Sequence, residues 1–231
     1  MTIDRQRIDL FRSLFRGRDD VFAVRWEKGS KSCYMPSYKF DPYHYRLHKA
    51  KGGTLSNYPD KTYQVLTDDQ IRKHLQGEQF LGIYPLMPDN SSYFIASDFD
   101  GETWLPECQK FINACRELDI PAYLERSRSG NGGHVWIFFS GAYPAFKSRA
   151  IVSSILQRTG AFSIFDEDST FDRLFPNQDS LSGKGFGNLI AMPLHGKTVV
   201  NGNNCFIDPV TSHPYTDQWE FLKTIKEHQA A

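Results

Sequence analysis

Asp98 and Asp100 close the run FIASDFDG (residues 94–101), an apolar stretch that ends in two carboxylates one residue apart. In a strand the side chains alternate faces, so both aspartates would project from one side while Phe99 points to the other. Carboxylates held together on one sheet face repel each other unless a cation lies between them or water screens them. A metal site satisfies that constraint, and so does a solvated Asp-Gly turn.

A second group of chemically useful types lies in ERSRSGNGGHVWIFF (125–139). Glycines let a backbone approach a phosphate, Ser129 and His134 offer hydrogen-bond donors to its oxygens, and Arg126 and Arg128 add positive charge. The segment is not a Walker A loop, because no G-K-[ST] follows, and it lacks G-x-G-x-x-G. A purely structural glycine-rich hairpin is the competing reading. The third group, FDRLFPNQDSLSGKGFGNLIAMPLHGK (171–197), brings Asp172 as a third carboxylate and Lys184, His195 and Lys197 as positive groups. Alone it reads as a surface loop followed by a strand. Taken together, the three segments hold what phosphoryl transfer needs, clustered carboxylates for metal ions and cations for a triphosphate.

These residues have to be held by regular elements, and the pattern supplies several. RQRIDLFRSLFRGRDD spaces Ile8, Leu10, Phe11, Leu14 and Phe15 as an amphipathic helix ending near Gly17. VFAVRWE alternates as a strand, and residues 36–62 read as a long loop or irregular insertion. TDDQIRKHLQG has Thr67 as N-cap, Gln70 at the capping-box position and Gly77 as stop. FLGIYPL and SSYFIASDFD are strands around the turn MPDN, and WLPECQKFINACRELDIP is a helix. AYLERS and HVWIFFS flank the glycine-rich turn as strands, AFKSRAIVSSILQRTG is a helix, and the chain from Phe171 to Asn188 reads as loop. LIAMPL and NCFIDP are short strands before a last helical piece, TDQWEFLKTIKEH. The order predicts an α+β fold with a mixed or antiparallel sheet, preceded by an N-terminal accessory region.

The 231 residues carry 27 basic and 27 acidic side chains, so no global positive field marks a nucleic-acid binder and any such binding needs a local groove. No run of about 18 apolar residues exists and the N-terminus lacks a signal-peptide layout, which predicts a cytoplasmic protein without membrane attachment. Cys33, Cys108, Cys115 and Cys205 form no C-x-x-C pair, so neither a disulfide framework nor a zinc site is expected. His44 and His48, four residues apart with Cys33 upstream, read as polar surface rather than as ligands.

The order D-x-D at a strand end, then a glycine-rich turn into His, then an apolar residue followed by Asp, here SDFD, SGNGGH and FD, resembles the three motifs of the archaeo-eukaryotic primase superfamily. LFRSLFRGRDDVFAVRWE, GIYPL, DFDG, LERSRSGNGGHVWIFF, DRLFPNQDSL and GFGNLIAMPLHG look more narrowly like the primase-polymerase domain of TOTE conflict-system proteins. Similarity runs from about Asp9 to Phe221. Relatives in that group often carry a cysteine cluster ahead of GIYPL, whereas residues 36–66 here contain no cysteine, so no structural zinc is expected.

The resemblance implies an RRM-like catalytic part over 91–231 packed against a smaller N-terminal α/β accessory part over 1–90, and template-directed nucleotidyl transfer from nucleoside triphosphates on a single-stranded DNA template and primer. Asp98, Asp100 and Asp172 would hold two Mg²⁺ or Mn²⁺ ions about 3.5–4 Å apart. Ser129 and His134 would grip the triphosphate, with Lys184, His195 and Lys197 as partners and Arg126 and Arg128 on nucleotide or template. Asp166, Asp168 and Asp179 lie near enough in sequence to rival Asp172. Helicase or nuclease modules would act beside it, in a longer chain or the same operon. A metal-dependent nuclease and a catalytically silent single-stranded nucleic-acid-binding module are the alternatives.

Overall fold

The computed structural model describes residues 3–160 and 170–229, in which eleven strands and seven helices form. In chain order these are α1 (Arg5–Leu14), β1 (Ala23–Lys28), β2 (Lys31–Pro36), β3 (Tyr38–Phe40), α2 (Pro42–Ala50), β4 (Lys61–Tyr63), α3 (Asp68–Gln76), β5 (Leu81–Ile83) and β6 (Ser91–Asp100). Then follow α4 (Trp104–Glu117), β7 (Tyr123–Arg126), β8 (Gly132–Pro144), α5 (Ala145–Thr159), β9 (Phe171–Phe175), β10 (Ile190–Ala191), α6 (Gly196–Val199), β11 (Cys205–Phe206) and α7 (Gln218–Lys223).

The stretch from β6 to β9 is a β-α-β-β-α-β unit, and its sheet order β7-β8-β6-β9 with antiparallel pairing is that of an RRM-like sheet. β11 extends it at the β7 edge. α4 and α5 cover one face, where Phe99 meets Phe111. The other face carries Phe94, Trp136 and Phe138, and Phe15 of the α1 segment seats its ring edge-on against Trp136 and Phe138. α1 forms because Asp4 caps it, accepting from Arg7 N at 2.9 Å, and because Ile8, Phe11 and Leu14 fall on one buried stripe. Helices on one face and the α1 segment on the other leave β6 almost continuously buried until Asp98, with the apolar run of residues 94–96 at its middle. Gly101, at φ 92°, then ends the strand in a conformation that favours glycine.

A four-stranded sheet, β10-β5-β1-β2, stands beside this unit. Its β10 comes from beyond residue 90, and one hydrophobic cluster joins Phe11, Phe22 and Leu81 to Phe94, Trp136 and Phe206. The two halves of the chain therefore share a core.

Two stretches expected as loop are ordered elements. Residues 38–63 form a β3–β4 hairpin closed over α2, whose Asp41 cap accepts from His44 N at 2.8 Å. A small aromatic cluster of Phe40, Tyr45, Tyr58 and the His48 ring fills this insertion. His48 Nε2 pairs with Asn57 Oδ1 at 3.0 Å, His44 faces Asp41, and the Cys33 thiol donates to Tyr34 O. The isolated sequence shows no period there because ring contacts across the hairpin, rather than an amphipathic face, hold it. Phe171–Phe175, also expected as loop, is edge strand β9. Asn188 pins it, donating Nδ2–H to Leu174 O at 2.8 Å and accepting from Asn177 N at 3.1 Å. Asp166 and Asp168 lie outside the described residues.

Candidate active site

Asp98 and Asp100 lie two apart on β6 and leave the same face at the end of the central strand, as the alternation predicts. Asp172 reaches them by a different device. Along β6 and β9, Asp98 pairs with Arg173 but Phe99 pairs with Phe171, so Asp172 is the extra residue of a β-bulge. In an unbroken strand Asp172 would point away from the face that Arg173 shares with Asp98. The bulge resets the alternation: Phe171 packs on Phe99 while Asp172 turns to the aspartate side. One oxygen from each of the three carboxylates then lies within 4.8 Å of the other two, the one such group among the described residues.

Three hard oxygen donors at this spacing fit a divalent cation of the Mg²⁺ or Mn²⁺ kind. The electrostatics agree. Burial, followed by the like charges of Asp100 and Asp172, pushes the Asp98 carboxyl up to about 6 against the pull of His134 and Arg173. Arg173 donates from Nε to Asp172 Oδ2 at 2.6 Å and supplies part of the countercharge.

His134 sits opposite Asp98 on β8, with Nε2 3.4 Å from Asp98 Oδ1. Its Nδ1 is 3.0 Å from Oε2 of Glu125, a fully buried carboxylate on β7. Burial by itself would lower the imidazole pKa, but the adjoining Glu125 carboxylate, with Asp98 and Asp100 beyond, raises it to about 9. Glu125 also accepts from Trp136 Nε1 at 2.8 Å and from Asn204 Nδ2 at 2.9 Å. Sequence reasoning passed over Glu125 and Arg173, although each adjoins a motif. A charged residue inside an apolar strand pattern, nine positions before a histidine across a hairpin, was the available signal for Glu125.

The glycines of the turn serve this packing. A Cβ on Gly132 would collide with the Asp100 carboxylate and, at 2.6 Å, with the Phe99 carbonyl oxygen, and one on Gly133 would meet the Trp104 ring at 2.6 Å. They let the Asp100 carboxylate and the Trp104 ring approach the backbone closely. Gly132→Ala is expected to destabilise the fold by about 1–3 kcal/mol through overpacking and to displace Asp100. Thermal unfolding with and without Mg²⁺ checks it, since a displaced carboxylate loses the metal-dependent rise in melting temperature.

The remaining candidates divide. Ser129 is exposed in the Ser127–Gly130 turn, its Oγ 3.1 Å from Ser127 Oγ and accepting from Asn131 N. Arg126 donates to Gly202 O at 3.0 Å and Ser212 O at 2.7 Å, which ties β7 to the 202–212 segment. Arg128 lies with its guanidinium carbon 6.0 Å from the centroid of Phe80, on which the His195 ring stacks at 4.4 Å. Burial, then the charges of Lys197 and Arg128, lowers the His195 pKa to about 4, so that ring is neutral at pH 7 and the cations on this wall are Arg128 and Lys197. Asn204 bridges the two histidine regions, accepting from His195 N at 2.9 Å while it donates to Glu125. Lys184 is exposed on a loop whose Phe186 packs on Tyr63 and Tyr84, and no contact among the described residues links it to the carboxylates. Asp179 faces Arg149. No helix of the described residues is long and apolar enough to cross a membrane.

A family model described as the archaeo-eukaryotic primase domain of TOTE conflict systems matches residues 6–231. None of the curated proteins compared with the chain matches it.

Proposed function

Because the chain belongs to the archaeo-eukaryotic primase domain family of TOTE conflict systems, whose activity is of the primase-type nucleotidyltransferase class, we propose that it extends nucleic-acid strands from nucleoside triphosphates under the direction of a template. The observation that carries the reading is the convergence of Asp98, Asp100 and Asp172 from two strands, with His134 against Asp98. A solvated turn would need neither the bulge nor a half-buried aspartate.

Asp98, Asp100 and Asp172 would hold Mg²⁺ or Mn²⁺, which when bound activates the attacking 3′-oxygen and neutralises the triphosphate. The chain's own groups prepare the rest. Asp98 is partly desolvated, and electrostatic interactions are stronger there than in water. His134, charged at neutral pH, turns Nε2 toward the aspartates and would donate to a triphosphate oxygen beside them. Arg128 and Lys197, together with the exposed Ser129 hydroxyl, would receive the outer phosphates. Single-stranded DNA template and primer are the proposed partners, with helicase or nuclease modules acting nearby.

The test is extension of a labelled primer with Mg²⁺ or Mn²⁺, followed by a primer-free reaction on single-stranded DNA. Lengthened product supports the proposal. Shortened primer would replace it with a nuclease, and binding without any length change would replace it with a silent module. His134→Ala is expected to weaken nucleotide binding by about 1–3 kcal/mol, as for loss of a hydrogen bond to a charged phosphate, with template binding little altered. Nucleotide titrations of extension and oligonucleotide anisotropy, run on the same preparation, separate the two. Unchanged nucleotide dependence with a lowered melting temperature would make the histidine structural.

A further inference from the structure

We propose that Glu125 is a positioning residue that fixes the His134 ring for nucleotide capture, an inference that rests on the nucleotidyl-transfer reading. A buried carboxylate is costly unless its oxygens are fully hydrogen-bonded, and an apolar residue would otherwise suit this strand. Glu125 is 0% exposed, and three N–H donors converge on it. Oε2 takes Trp136 Nε1 and His134 Nδ1, and Oε1 takes Asn204 Nδ2.

The pairing is built into the sheet, because Glu125 and His134 are direct partners across β7 and β8. With Nδ1–H committed to Glu125, Nε2 is left facing Asp98, the side on which a nucleotide phosphate would arrive. A histidine without that acceptor could turn its ring over or carry its proton on the other nitrogen. Trp136 and Phe175 stand edge-on to the imidazole and confine its plane. Asn204, held at φ 55° with its Oδ1 accepting from His195 N, fixes the far oxygen of Glu125. Glutamine cannot replace Glu125, since its single oxygen leaves at least one of the three donors opposite an NH₂ group.

The experiment has two parts. Ring ¹⁵N spectra of the unligated wild-type protein, with His134 assigned by its absence in His134→Ala, are expected to show Nδ1 protonated and its proton shifted downfield by the carboxylate. A bare Nδ1 overturns the proposal. Next, the apparent nucleotide KM is measured for wild type, Glu125→Gln, Glu125→Asp, His134→Ala and the Glu125→Gln/His134→Ala pair, each checked for fold by circular dichroism. Glu125→Gln is expected to raise KM by about tenfold to a hundredfold, and to add nothing in the His134→Ala background. Glu125→Asp, which keeps the charge one methylene short, is expected to retain the Nδ1 proton and to lose less; it carries the comparison if Glu125→Gln does not fold. An equal further loss in the His134→Ala background, or an unchanged KM in the single variants, would make Glu125 a core residue with no bearing on nucleotide capture. If the wild-type protein adds no nucleotide, the nucleotidyl-transfer reading fails, and the ring spectrum still decides whether Glu125 holds His134.

Discussion

Replacing Asp98 and Asp100 together with asparagine is expected to abolish nucleotide incorporation while the melting temperature of the metal-free protein stays the same or rises. The two halves of that result have one cause. Burial and the like charges of Asp100 and Asp172 push Asp98 up to about 6, so at neutral pH its ionised form is held in the fold at a cost. Asparagine keeps the shape and removes the repulsion, and Gly132 still leaves room for the side chain at position 100. What the variant loses is the charge that would hold Mg²⁺ or Mn²⁺. A ligand that binds only the native state at about a hundredfold over its dissociation constant stabilises it by roughly 2.7 kcal/mol. Wild type is therefore expected to melt higher as the metal is raised, and the double variant to melt at one temperature throughout. Primer extension and thermal unfolding on the same samples are the measurements; extension near the wild-type rate would remove both aspartates from the catalytic machinery.

Much of the scaffold was legible because it depends on local pattern. The period-2 alternation placed Asp98 and Asp100 on one face of β6, and the 3.6-residue spacing located α1, α3, α4 and α5. Thr67 and Gly77 end α3 as their residue types predict, Thr67 Oγ1 accepting from Gln70 N and Gly77 taking φ 81°. The rest depends on partners far away in the chain. Nothing in FDRLF announces a strand, because β9 is an edge whose order comes from β6 and Asn188. Positive charge was assigned to His195 from its residue type, whereas burial beside Arg128 and Lys197 leaves it neutral. The glycines of SGNGG suggested phosphate approach, but only the folded hairpin shows that Gly132 and Gly133 abut Asp100 and Trp104. For Glu125 the sequence shows only a charge inside an apolar strand pattern, and its role depends on the fold, because its three donors come from positions 134, 136 and 204.

Asp172→Asn is expected to lower single-turnover incorporation by roughly a hundredfold or more while nucleotide binding largely survives, the scale seen when a preorganised electrostatic contact to the reacting atoms is lost. Within the site Asp172 is more exposed than Asp98, its side chain 40% exposed against 14%. It joins the group only through the bulge, so its own charge, rather than packing, is what the strand irregularity delivers. Removing that charge also releases Arg173, whose Nε is 2.6 Å from Asp172 Oδ2 and whose charge already acts on Asp98 and Asp100. A freed guanidinium would compete with the metal for those carboxylates and deepen the loss. Nucleotide capture through His134 and the neighbouring cations would persist. Asp179→Asn is the control, an exposed partner of Arg149, and Asp166→Asn tests the rival that lies outside the described residues. Nucleotide binding by fluorescence and single-turnover incorporation are measured on each variant. If Asp172→Asn incorporates normally while either control fails, the third carboxylate of the site is the one at the failing position, and the bulge serves the edge of the sheet instead of the chemistry.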